Sequence, residues 1–185
     1  MFRIRQKRFS PLNEWRFPFS GLNNVGVTED KARERLSEVG LLWYVDETTT
    51  AEVIAAACAL LVAGADGQAL AELAGADVRT ARSDLRALVD AALTEVGSEP
   101  PADRDAAVEA ALRLKAGQIL SGDLAPEALT WWVCKASYED TIPDVAGAFA
   151  VLDSDYRVAA AIDASREEID AAVRAEAAKL LRDER

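Results

Sequence analysis

Apolar residues recur along this chain at three- and four-residue intervals rather than in strict alternation, the spacing of one helix face. The first such segment opens at Thr28, a hydroxyl cap followed by Glu29 and Asp30, whose charge suits the positive end of a helix dipole. It is predicted to reach about Val39 and stop at Gly40. Residues 41–45 are an apolar run too short to assign by period, and a lone strand is one reading of them. After a polar break at 46–50, residues 51–63 are apolar almost all round, which predicts a central buried helix closed by Gly64. A short helix follows over 67–74, ended by Gly75. Asp77 is expected to cap a longer helix reaching about Thr94, with Leu85, Leu88, Val89 and Ala92 on its apolar side.

Gly97 to Asp103 (GSEPPAD) interrupts the helical pattern and is the natural hinge between two sub-bundles. Beyond it, Asp103 caps a helix to about Leu120, and Pro126 starts another that carries Leu129, Trp132 and Val133. A loop is expected from Tyr138 to Pro143, then a short helix capped by Asp144 and ending near Leu152. The last helix has the clearest start: Ser165, Arg166, Glu167 and Glu168 read as a capping box, with Ile169, Val173, Ala177 and Leu180 repeating behind it. These segments predict an all-α fold, a bundle of seven or eight helices: an N-terminal arm over 1–27, a sub-bundle over 28–96, a hinge over 97–103 and a second sub-bundle over 104–185.

Composition agrees with the pattern. Half the residues are apolar, yet aromatics are only 6% and Ala dominates, so helices gain far more than sheets from the residues present. Charge changes the picture more. The first twenty residues carry Arg3, Arg5, Lys7, Arg8 and Arg16 against Glu14 alone, a local +4; with −11 for the whole chain, residues 21–185 carry −15. Phe2, Phe9, Trp15, Phe17 and Phe19 also fall in this stretch, and Pro11 and Pro18 break helical continuity there. The arm therefore reads as extended, basic and aromatic. Either it packs back onto the acidic body, or it meets a partner, with Arg3, Arg5, Phe9, Trp15 and Phe17 as candidate contacts.

The absence of His removes imidazole-based acid–base catalysis, His-assisted nucleophiles and His metal ligands. Cys58 and Cys134 stand far apart with no CxxC spacing, and are expected to be buried free thiols of a reducing compartment. The acidic residues Glu139, Asp140, Asp144, Asp153 and Asp155 lack the spacing and central Gly of a calcium loop. No catalytic, cofactor or metal site is expected, and no enzyme. The most apolar run, 53–63, falls short of the ~20 residues of a membrane span, and the basic N-terminus lacks the apolar core of a secretory signal. A cytoplasmic protein with no membrane contact is the expectation.

Residues 70–93, LAELAGADVRTARSDLRALVDAAL, contain a short helix, a Gly turn, then Thr80, Arg82, Asp84, Leu85 and Leu88. This pattern resembles the helix-turn-helix of DeoR-type bacterial regulators. The resemblance implies a recognition helix over 77–86, with Arg79, Thr80, Arg82 and Arg86 near phosphates or base edges. Trp131 and Trp132 pose a different question. Adjacent helical side chains point about 100° apart, so only one can face the core squarely; the other, with Tyr138, is a candidate contact for a partner. The favoured expectation is a non-enzymatic acidic helical module that binds another protein, a basic one, as regulatory adaptors and immunity-type binders do. Two alternatives stand beside it: a transcription-associated DNA-binding protein, and a structural subunit that forms homo-oligomers through its arm.

Overall fold

The computed structural model describes residues 28–139, 146–162 and 164–182; 77% of them are helical and none is in a strand. The helices are α1 (Glu29–Tyr44), α2 (Thr50–Val62), α3 (Gln68–Ala74), α4 (Arg82–Glu95), α5 (Arg104–Ser121), α6 (Pro126–Glu139), α7 (Gly147–Ile162) and α8 (Glu167–Arg182). Helix α1 packs on α2, α4 and α5, while α5 packs in turn on α6 and α8, so α1 and α5 form the joint between the two halves of the bundle. Helices α3 and α4 close the first half and α7 closes the second. One continuous apolar core runs through both, from Leu36 and Val39 through Leu70 and Val89 to Leu112, Leu129, Phe149 and Val173.

Several helix starts follow the residues that predicted them. Thr28 Oγ1 accepts the Lys31 N–H at 3.4 Å, and Asp103 accepts that of Ala106 at 2.8 Å. The full capping box lies at Thr49 and Glu52, where hydroxyl and carboxylate each accept the other residue's backbone N–H. At Ser165 the box does not form: its hydroxyl accepts from Glu167 at 3.3 Å, a local turn before α8.

Four expectations about the elements are corrected. Helix α1 passes through Gly40 and takes in residues 41–44, so no strand forms there. Gly40 serves close approach: a Cβ on it would stand 2.9 Å from Leu93 Cδ2, and its absence lets α4 press against α1. Asp77 caps no helix; its carboxylate accepts the Arg79 N–H at 2.9 Å in a tight turn, and α4 starts only at Arg82 behind Ala81. Helix α2 lies at the edge of the bundle instead of its centre, burying Val53, Ile54, Ala56, Ala57 and Leu60 and leaving Val62 70% exposed. With so much Ala its all-round apolar pattern reflects composition more than burial. Finally, α6 continues through residue 139, and α7 continues to Ile162, well past Leu152; Asp144 lies outside the described residues. Both cysteines are free, but Cys58 is exposed and Cys134 only half-buried.

Candidate functional site

The turn between α1 and α2 gathers cations from three other helices. Backbone carbonyls at the end of α1 carry the negative pole of its dipole, and Asp46, at a positive φ of 61°, and Glu47 add two carboxylates. Arg82 from α4 donates to the Trp43 and Thr48 carbonyls, pairs with Asp46 at 3.1 Å and lies 4.9 Å above the Trp43 ring. Arg104 from α5 donates to the Tyr44 carbonyl at 3.2 Å and to Asp46 at 3.0 Å. Glu47 takes Lys115 of α5 on one oxygen at 3.4 Å and Lys135 of α6 on the other at 3.5 Å. Burial pulls the Lys115 pKa down from its ordinary value, against the pull of Glu47.

The same economy of capping from another helix recurs along the first half. Arg33 of α1 donates to the Val96 carbonyl at the end of α4, at 3.3 Å. The Tyr44 hydroxyl donates to Asp90, and Arg86 stands 4.9 Å above the Tyr44 ring; burial, then the Asp90 bond, raises the Tyr44 pKa. Helix α3 starts at Gly67, which has no side chain to cap it, so Glu95 supplies the cap, accepting the N–H groups of Ala69 at 3.0 Å and Leu70 at 2.9 Å. Those bonds hold the Glu95 carboxyl below its usual pKa.

Of the residues read as nucleic-acid contacts, Arg82 and Arg86 of α4 thus reach aromatic rings of α1, Arg82 half-buried and Arg86 exposed. Arg79 is exposed and Thr80 half-buried, both in the turn before α4, where the Thr80 N–H bonds the Asp77 carbonyl at 2.9 Å. The two tryptophans divide. Trp132 is buried at 5% exposure with the Lys115 ammonium 5.2 Å above its ring, whereas Trp131 is 45% exposed beside Lys135 at 5.9 Å. Tyr138 lies on the last turn of α6, its side chain outside the described residues, as are Arg3, Arg5, Phe9, Trp15 and Phe17.

The outer face of α7 stands out from this arrangement. Its inner face buries Phe149, Asp153, Tyr156 and Ala159. Tyr156 donates to Asp170 of α8 at 2.5 Å, and Asp153 pairs with Arg157 at 2.7 Å. On the opposite side Val151, Val158 and Ile162 are 64%, 58% and 69% exposed, and Ala148 and Asp155 lie on the same stripe at helical spacing. Arg157 reaches the Cys134 sulfur of α6 at 3.3 Å, and Arg166 just beyond α7 reaches Glu127 at 2.6 Å. That antiparallel register sets Trp131, 45% exposed, level with Ala161 along the two helices. Sequence reasoning missed this face because it ended the helix near Leu152. The seven-residue step from Val151 to Val158 was the available signal.

Among the described residues no group of three or more Cys, Asp or Glu is placed to hold a metal ion, and no helix is long and apolar enough to cross a membrane. No protein family, curated protein or solved structure matches this chain. What the α6–α7 face offers chemically is desolvation: large apolar side chains in water, available to a complementary surface.

Proposed function

We propose that the protein is a non-enzymatic interaction module that binds a basic protein partner through the outer face of α7 and Trp131. The observation that carries this reading is the row of Val151, Val158 and Ile162, each more than half exposed on one side of one helix. Large apolar residues scattered singly are ordinary on a surface; three on one side of one helix, with a half-exposed tryptophan on the neighbouring helix, are the composition of a binding face. Charge supports the sign of the partner. Residues 139–170 hold nine carboxylates against Arg157 and Arg166, a local −7, and opposite charge speeds an encounter and selects against acidic proteins.

The test is affinity capture by the full chain from its native cells, run beside the variant V158S/I162S, whose substitutions lie on exposed positions. A protein held by the native chain and lost with the variant is the expected result. Capture of the same proteins by both would remove the α7 face from the account. The DNA-binding alternative gains little from Arg82, whose guanidinium is taken by the end of α1, and keeps the exposed Arg79 and Arg86; a duplex titration across salt tests it, since phosphate contacts give a steep slope. Tight, salt-sensitive duplex binding would favour that alternative over the one proposed.

A further inference from the structure

Along the outside of α7, Ala148, Val151, Asp155, Val158 and Ile162 follow one another at steps of three, four, three and four residues, and all five are exposed. The mean step of 3.5 residues is the heptad interval, at which a helix keeps a narrow seam turned toward a second helix. We propose that the outer face of α7 receives an amphipathic helix of the partner protein, packed along this seam with a lysine or arginine set against Asp155. The inference rests on the reading of α7 as a binding face and adds the form of the partner and the residue that selects it.

The residues beside the seam suit a helical occupant. Gly147, Ser154 and Ala161 border it, all exposed and all small, so a second helix can bring its backbone close. Asp155 is the only charge among these eight positions, and no described residue pairs with it. The nearest cation along the helix, Arg157, is engaged by Asp153 at 2.7 Å and by the Cys134 sulfur at 3.3 Å. A carboxylate in the middle of an apolar seam loses its hydration when a second helix covers it, and a cation on that helix offsets the loss through a charge-assisted hydrogen bond. The same residue argues against a second copy of this chain as the occupant. Two α7 helices in full overlap, parallel or antiparallel, bring their Asp155 carboxylates together, and like charges so placed oppose pairing. From Ala148 to Ile162 the seam is ~21 Å long. One helix over that length covers less than the ~1,200 Å² of a stable complex, so the expected affinity is micromolar.

The probes are two synthetic helical peptides of about three heptads, with leucine and isoleucine at the seam positions and either lysine or glutamate at the central one. Calorimetry measures their binding to the full native chain, to Asp155→Lys and to V158S/I162S. The native chain is expected to bind the lysine peptide roughly tenfold more tightly than the glutamate peptide, Asp155→Lys to reverse that order, and V158S/I162S to lose both. Equal binding of the two peptides, or a preference that Asp155→Lys leaves unchanged, would overturn Asp155 as the selector. No binding of either peptide by the native chain, or binding that survives V158S/I162S, would overturn the seam itself. Sedimentation covers the other occupant: a native dimer that V158S/I162S dissolves would overturn the proposal in favour of a second copy. The two readings fail separately. Peptides bound without regard to Asp155, while V158S/I162S still loses a captured protein, defeat only this inference. Peptides sorted by Asp155, while no captured protein is lost, defeat only the partner reading.

Discussion

Arg82 and Arg86 sit one turn apart on α4, and Val158 and Ile162 sit one turn apart on α7, and the two pairs occupy reversed places. Arg82 is held against Trp43 and the backbone ending α1, and Arg86, itself exposed, lies over the Tyr44 ring, while the aliphatic residues turn outward into water. In the first half of the bundle small residues and glycines bring helices close, and long polar side chains finish one another's ends. In the second half, aromatic residues fill the inside, and among the described residues no helix covers the apolar side chains left over on α7. Polar groups used for structure are poor candidates for recognition. Apolar groups left without a structural use are good ones.

The sharpest way to break this contrast lies at the two tryptophans. Trp132→Ala opens a cavity between α5 and α6 and is expected to cost about 3–5 kcal/mol. Trp131→Ala, on the exposed side, should cost less than about 1 kcal/mol. Chemical denaturation midpoints measure both, and equal losses would mean that Trp131 is structural as well. Next in size is Arg82→Ala, which leaves the Trp43 and Thr48 carbonyls without their cationic donor, at about 2 kcal/mol. Arg82→Lys should recover little of it, because one ammonium cannot reproduce a fork that spans two carbonyls.

A smaller effect is expected at the start of α3. A Cβ at Gly67 would lie 2.4 Å from Glu95 Oε2, so Gly67→Ala displaces the carboxylate cap and should lower the melting temperature slightly. Because N–H donors lower the Glu95 pKa in the folded state, the unfolded chain takes up the proton first as pH falls. The stabilisation from Glu95 is therefore complete above its unfolded pKa, ~4.3, and is lost as pH drops through the lower folded value. Thermal melts between neutral and acid pH should show that slope, and Glu95→Gln should flatten it. Smallest of all, V158S/I162S should fall within about 0.5 kcal/mol of the native chain; a large loss would mean that α7 uses its outer face for folding.

The helix inventory was legible because caps and apolar intervals are local: Thr28, Asp103 and Pro126 mark starts that depend only on their own neighbourhoods. Gly40 misled because a helix-ending glycine and a close-packing glycine look alike until Leu93, far away in sequence, is known to press on it. Asp77 misled for a related reason, since the same carboxylate can cap a helix or close a turn. The trans caps from Arg33, Glu95 and Arg82 have no local signature at all. The division between Trp131 and Trp132 was visible from helical geometry, but which of them lay inside was set by the packing of α5. The α7 face was hidden by a misplaced helix end, although the period was there to be read.

The most direct test of the central claim compares two exposed valines, Val62 on α2 and Val158 on α7, which are 70% and 58% exposed. A photoreactive residue is placed at one position or the other in the full chain, and the native cells are irradiated. Attachment of a foreign basic protein at position 158 but not at 62 is the predicted result. Labelling of the same proteins at both positions, or of none at 158, would contradict the assignment of α7 as the binding face.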